Sequence, residues 1–364
     1  MTDTKQETDT KKEEVFDRTK TARNLLRNFG ITERLARKGV TEVAINRPNE
    51  VWIEDQDGWH KEEIALSYKQ AEQLANTLCT LNSKKIERKN PTHSVQLPDG
   101  ERGHIVIPPA CEKDTIVFCF RKPSKSRFTL NSYIETGRLN AFKDTGVEID
   151  KYQFRDTSGQ TQINYDTRLK DWQLAMLDAK ADKDMEKFFS LAVQNHCNIC
   201  MVGGTGSGKT TFTKSVADLI DHDTRIITIE DTHELSLKYH ENHIHLFYGD
   251  TISAKGIIAA CMRLKPDRIF LTELRGDETW DYLSSLNTGH AGGLTSVHAN
   301  DSISAFNRIT QLAKESETGQ RLDRDFVFNT VKATIDIVCF FKHTKMTELY
   351  FNPVAKMRAE DGKL

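Results

Sequence analysis

The run Gly203-Gly204-Thr205-Gly206-Ser207-Gly208-Lys209-Thr210 fits the spacing G-x-x-x-x-G-K-[ST], and it constrains this chain more than any other feature. It follows the apolar tetrapeptide Ile199-Cys200-Met201-Val202 and precedes a helical pattern over 209–220, so it predicts a strand, a phosphate loop and a helix in that order. Glycines let the backbone curl until successive N–H groups point at one anion, and the helix N-terminus adds its positive end. Lys209 is placed to reach the β- and γ-phosphates. The Thr210 hydroxyl, with Thr211 next to it, is placed to ligate Mg²⁺. The segment 203–211 therefore predicts a site for ATP and Mg²⁺.

Downstream, apolar strands alternate with amphipathic helices: strand 225–230, helix 253–264, strand 267–272, helix 277–287, strand 294–298 and helix 302–314. That rhythm predicts an α/β domain with a mainly parallel sheet covered on both faces. Hydrolysis needs carboxylates at the C-terminal ends of strands neighbouring the loop. Glu230, followed by Asp231, ends one strand, and Glu273 ends another. Glu230 is expected to polarise water and Glu273 to hold the Mg²⁺ water shell, with Asp231 beside the metal; the two glutamate roles are interchangeable. Farther on, His290 and His298 flank a Gly-rich turn and a strand. An imidazole there is suited to donate a hydrogen bond to the γ-phosphate and report its loss.

A length of 364 residues predicts two domains with some extra chain. Residues 1–14 are almost all polar or charged, which predicts a disordered tail. Residues 15–30 read as a basic amphipathic helix stopped by Gly30, suited to its own domain's surface or to an anionic membrane. Short β-rich runs at 43–46, 51–54, 93–97, 104–107 and 115–121, with a helix over 67–81, predict an α+β N-terminal domain spanning 15–154. The turn-rich stretch 155–168 is expected to be a linker, and 169–364 the nucleotide domain, entered by a helical stretch over 169–194. Residues 15–168 carry 25 basic and 21 acidic side chains, a mild excess compatible with an anionic membrane or nucleic acid.

No apolar run approaches the roughly 18 residues of a membrane span, and the first residues lack the apolar core of a secretory signal, so a cytoplasmic chain is expected. The seven cysteines are scattered without a disulfide framework. Cys197 and Cys200 have CxxC spacing but lack a second pair at metal spacing, so they read as small hydrophobes of a buried strand.

Taken in order, the phosphate loop, Thr228-Ile-Glu230-Asp231, Arg263-Leu-Lys-Pro-Asp267-Arg-Ile-Phe-Leu-Thr-Glu273-Leu-Arg275-Gly276 and the His290–His298 segment resemble the traffic ATPases of type II and type IV secretion and twitching pili. They match that family's Walker A, Asp box, Walker B and His box. The type IV secretion branch is the nearer, through Glu230-Asp-Thr-His-Glu-Leu235 and the frontal sequences Gly100-Glu-Arg102-Gly-His-Ile-Val-Ile-Pro-Pro-Ala110 and Phe120-Arg121-Lys122-Pro123. The match covers about 100–310. It implies a RecA-like domain behind an N-terminal α+β domain, and a hexameric ring, peripheral on the cytoplasmic face of the bacterial inner membrane, that works with other channel subunits. It also implies that Arg102 and Arg121 approach the phosphates. Thr272 departs from the family's usual Gly before the Walker B glutamate, and Ala291 from a common Pro; Thr272 is expected to slow turnover. A nucleic-acid motor of the helicase type is the competing function, weakened because the basic runs at 84–89 and 121–127 lack stacking aromatics.

Overall fold

The computed structural model describes residues 17–123, 127–146, 153–155, 161–163, 169–249 and 251–362. The expected tail 1–14, the start of the first helix at Val15 and most of the expected linker 155–168 lie outside the described residues. The chain divides into two compact units between residues 124 and 125.

The first unit carries helices α1 (Lys20–Asn28), α2 (Ile31–Ala36) and α3 (Tyr68–Leu81), and strands β1 (Glu42–Ile45), β2 (Glu50–Asp55), β3 (Gly58–Glu63), β4 (Thr92–Gln96), β5 (Arg102–Val106) and β6 (Val117–Arg121). The strands form one antiparallel sheet in the order β3-β2-β1-β6-β5-β4. Burial alternates along β1 and β6, the signature of a sheet with one face on a core. Ala71, Leu74, Ala75 and Leu78 form the stripe that seats α3 on that core, and the Ser67 amide donates to Gln70 Oε1 at 2.9 Å to start the helix. Gly30, at φ +66°, ends α1 as its position predicted and turns the chain into α2, where the sequence suggested no second helix.

The second unit holds helices α4 (Leu130–Glu135), α5 (Asp171–Asp182), α6 (Met185–Gln194), α7 (Lys209–Ala217), α8 (Ala254–Cys261), α9 (Glu278–Asn287), α10 (Ser304–Ala313), α11 (Glu317–Arg321), α12 (Arg324–Thr334) and α13 (Pro353–Glu360). Its strands are β7 (Lys143–Asp144), β8 (Gln153–Arg155), β9 (Thr161–Ile163), β10 (Ile199–Val202), β11 (Ile226–Glu230), β12 (His243–Phe247), β13 (Arg268–Leu271), β14 (Leu294–Val297), β15 (Ile337–Lys342) and β16 (Lys345–Phe351). Strands β8 and β9 form a separate hairpin. The main sheet runs β12-β11-β13-β14-β10-β15-β16-β7, parallel from β12 through β15. Every residue of β10, β13 and β14 is buried, as a sheet covered on both faces requires. Along β10, Ile199 and Met201 enter one hydrophobic core while Cys200 and Val202 enter the other.

Two boundaries differ from the sequence expectation. Residues 127–146, expected in the N-terminal domain, belong to the second unit: β7 pairs with β16, and Tyr133 meets the ring of Phe212 at 5.1 Å. The helical stretch over 169–194 is two helices, because Lys183 adopts φ +59° and Asp184 restarts the helix by accepting from the Lys187 amide at 3.0 Å. Cys197 and Cys200 are free and buried, and burial pushes the Cys200 thiol up to about 12, which makes it a packing residue. No helix among the described residues is long and apolar enough to cross a membrane.

Candidate functional site

The loop after β10 is shaped by its glycines. At Gly203 (φ +147°) a Cβ would lie 2.4 Å from the Phe341 carbonyl oxygen, so no other residue fits, and Gly208 (φ +96°) caps α7 in the left-handed region. Phe212 fixes the helix behind the loop, with its ring 5.3 Å from Phe189 and 4.8 Å from Phe341. Lys209 Nζ donates to the carbonyls of Gly203 (2.7 Å) and Gly204 (2.9 Å), folding the side chain over its own loop. The Ser207 hydroxyl is buried with no hydrogen-bond partner. A cavity of about 540 Å³ opens beside Gly204, Thr205, Gly206 and Ser207, with His298 and Asn300 on one side and Phe340–His343 on the other. That volume is in the range of small-molecule sites, roughly 300–1,000 Å³. An orphaned hydroxyl, a glycine-built cradle, a helix N-terminus and one lysine fit a polyphosphate.

The β15–β16 turn joins this site, which the sequence did not signal. His343 and Thr344 both hold positive φ, and the Thr344 amide donates to the Ser207 carbonyl at 3.2 Å, so the hairpin tip braces the phosphate loop. Glycine or asparagine would have announced such a turn; neither is present.

Glu273 stands just beyond β13. Its carboxylate accepts from Arg275 Nη2 at 2.7 Å and lies 3.2 Å from His298 Nε2, and Arg275 also donates to Asp231 at 2.5 Å. Burial opposes the Arg275 charge, but Glu273 and Asp231 outweigh it and raise its pKa. Burial lowers the pKa of His298, the Lys209 charge lowers it further, and Glu273 and a backbone hydrogen bond at Gly203 only partly offset them. A neutral imidazole thus lies between the phosphate loop and Glu273.

Glu230 corrects the sequence expectation. It is fully buried at the end of β11, with Oε1 accepting from the Thr228 hydroxyl at 2.9 Å and Oε2 accepting from the Glu234 and Leu235 amides at 2.8 and 3.0 Å. Burial pushes its pKa up, yet hydrogen bonds from His245, the two amides and Thr228 prevail and hold it below the ordinary carboxylate value. With no exposed surface and both oxygens engaged by Thr228 and the two amides, it is not placed to polarise the attacking water. Its bonds instead shape the 231–235 loop, and it is Glu234, quoted in the sequence motif but given no role there, whose Oε2 accepts from the Thr210 hydroxyl at 3.3 Å. The oxygens of Thr210 and Glu234 are the hard donors Mg²⁺ prefers. His245 was missed, because β12 reads as a polar histidine-bearing run and not as a strand, and Thr228, quoted in the motif, was given no role.

His290 is not brought to the loop. It lies before β14, with Nδ1 3.1 Å from the Pro266 carbonyl, and β14 runs parallel to β10 with Leu294 beside Ile199, so His290 marks the edge of the sheet opposite the phosphate loop. The Thr272 hydroxyl donates to the Ile229 carbonyl at 3.3 Å. In the first unit, Arg102 and Arg121 stand directly opposite each other on β5 and β6, and Glu42 of β1 lies 3.8 Å from Arg121 on its other side.

Comparison with known proteins gives a consistent picture. The family described as "Type II/IV secretion system protein" matches residues 166–341. The type IV secretion system protein VirB11 of Bartonella quintana is 36% identical over 328 residues, 87% of this chain and 89% of that one. PtlH of Bordetella pertussis is 33% identical over 312 residues, 84% and 86% of the two chains. Among solved structures, the VirB11 ATPase of the Brucella suis type IV secretion system, in complex with sulphate, aligns with a TM-score of 0.51 at 31% identity over 94% of this chain and 98% of that one. The pilus retraction motor PilT with bound ADP aligns with a TM-score of 0.56 at 16% identity over 92% and 86%, a likeness of fold.

Proposed function

Because the chain belongs to the type II/IV secretion system protein family, beside the VirB11 proteins, we propose that it hydrolyses ATP to power a type IV secretion system. The observation that carries this reading is the phosphate loop with Glu273, His298 and Arg275 gathered against it on the neighbouring strand ends. The loop amides, the Ser207 hydroxyl and Lys209 hold the phosphates, which requires Lys209 to exchange its two carbonyl partners for the γ-phosphate. Mg²⁺, held by Thr210 with Glu234 close by and with Asp231 and Glu273 reached through water, would neutralise charge on the β- and γ-oxygens. Glu273, accessible and held by Arg275, orients and deprotonates the attacking water. His298, neutral, hydrogen-bonded to the Gly203 backbone and 3.2 Å from Glu273, is suited to sense whether the γ-phosphate is present.

Replacement of Lys209 by alanine is expected to abolish phosphate release from ATP, measured with the purified full-length chain. Retained turnover would remove the loop from the mechanism.

The finer reading is a homo-hexameric ring at the cytoplasmic face of the inner membrane, contacting other channel subunits and moving protein or DNA. Arg102 and Arg121 are its phosphate-responsive arginines, an assignment supported by their directly opposed positions on β5 and β6. The particle mass by light scattering, with Mg²⁺ and a non-hydrolysable ATP analogue, is expected to be about six chains. A persistent monomer would exclude the ring.

A further inference from the structure

Behind the phosphate site, three metal-capable side chains converge where the mechanism above makes no use of them as ligands. Glu230 ends β11, His233 sits on the loop that follows, and His245 comes from the adjacent strand β12. From Glu230 Oε1, His245 Nδ1 is 3.4 Å away and His233 Nδ1 is 3.6 Å away, and the three ligand atoms all lie within 4.8 Å of one another. Among the described residues no other group of three His, Cys, Asp or Glu side chains is drawn together in this way.

Those separations have a metric meaning. A tetrahedral ion bonded to nitrogen and oxygen at roughly 2.0–2.1 Å spans about 3.4 Å from ligand to ligand. The carboxylate is also held in place: the Glu234 and Leu235 amides fix Oε2, leaving Oε1 to face the Thr228 hydroxyl and the two imidazoles. Two imidazoles and one carboxylate suit Zn²⁺, Co²⁺ or Ni²⁺, whereas Mg²⁺ takes oxygen donors, so the donor set separates this place from the Thr210 site. Hydrogen bonding accounts for His245, whose Nδ1 is 2.6 Å from the Thr228 hydroxyl, a bond that an ion at Nδ1 would have to replace. It does not account for His233, which approaches Glu230 beyond hydrogen-bond reach while its ring leans on His245 at 4.4 Å. The His233 side chain is 44% exposed while Glu230 is fully buried, so an ion would enter from the His233 side.

We propose that Glu230, His233 and His245 form a binding site for one borderline first-row divalent cation, Zn²⁺ or Co²⁺, on the loop that carries Glu234. An ion there ties the 231–235 loop to β12, and it acts from behind the glutamate that meets Thr210.

The test is a Co²⁺ titration of the full-length chain, in excess Mg²⁺ and under reducing conditions, read by visible absorption. One equivalent is expected to give the weak bands of four-coordinate cobalt bound by nitrogen and oxygen, displaced by one equivalent of Zn²⁺ and insensitive to Mg²⁺. His233→Ala and His245→Ala should each weaken the titration at least about tenfold, by analogy with the losses on removing even outer-sphere partners. His243→Ala, on the same strand with its Nδ1 engaged by the His240 carbonyl, should leave it unchanged. Absence of the bands, thiolate charge-transfer bands, displacement by Mg²⁺, or a His233→Ala titration equal to wild type would each overturn the site. Because the readout needs no ATP hydrolysis, a chain that binds cobalt but turns over no ATP would count against the proposed function and leave the cation site standing.

Discussion

The ends of β11 and β13 are the instructive pair. The two strands are parallel neighbours in register at Ile229 and Leu271, both are buried and apolar, and each runs into a glutamate close behind the phosphate loop in the sequence. Their surroundings then diverge. Glu230 is the last residue of its strand and turns into the protein, where Thr228, two amides and two imidazoles surround it. Glu273 is two residues past the end of β13, far enough for its carboxylate to emerge among Arg275, His298 and solvent. A carboxylate at a strand end is thus a chemical group only if the chain has left the ladder; one residue earlier it becomes a strut that shapes the next loop.

The largest effect should come from Glu273→Gln, which keeps the shape and removes the base. Turnover is expected to fall about 10²- to 10³-fold with nucleotide affinity retained, and stability should change by less than about 0.5 kcal/mol, since Asp231 still holds Arg275. Steady-state kinetics with thermal unfolding would check both halves, and full turnover would return the catalytic assignment to Glu230. Glu230→Gln should show the opposite profile. Its amide nitrogen must face a donor in a sealed site, costing about 2 kcal/mol, while turnover falls only as far as the 231–235 loop shifts Glu234. The pH dependence gives a second reading. The folded pKa of Glu230 is depressed, so its stabilisation is complete above the unfolded value near 4.5 and is lost as pH falls through the folded value. The stability gap between wild type and Glu230→Gln should therefore be widest at neutral pH and narrow below 4.5; a gap independent of pH would show that Glu230 is not charged in the fold.

Much of this was legible in the residues, and the limits have physical causes. Four-residue apolar runs such as Ile199–Val202 and Leu294–Val297 announce parallel strands because both faces of that sheet are covered, and the phosphate loop announces itself because backbone curvature demands glycine at fixed spacing. Partners across the sheet were another matter. The sequence places Glu230 and Glu273 alike at strand ends, and nothing in it states that His245 arrives beside Glu230, since β12 is a half-exposed edge strand whose two histidines hide its period. His290 and His298 look equivalent on paper, yet a four-residue strand separates them onto opposite edges of the sheet. The hairpin tip at His343 and Thr344 stayed hidden because it reaches the left-handed region without the residues that favour it.

The smallest expected effect concerns Thr272, which sits between the two contrasted ends. Thr272 in the place of the family's usual glycine suggested a bulky hydroxyl beside the metal and slow turnover. The structure points the hydroxyl across the sheet instead: it donates to the Ile229 carbonyl of β11 at 3.3 Å, and the Thr272 carbonyl accepts from the hydroxyl of Ser296 in β14 at 2.8 Å. The residue therefore ties together the strand ends that carry Glu230, Glu273 and His298. Thr272→Gly should cost about 1 kcal/mol, through lost backbone restriction and one weak hydrogen bond, while kcat stays within about threefold of wild type because no group on the phosphate side is removed. Thermal unfolding and steady-state turnover on the same preparation decide the point. A tenfold rise in kcat would show that the side chain obstructs the reacting end of β13, and the separation drawn between a structural β11 terminus and a chemical β13 terminus would then have to be moved by one residue.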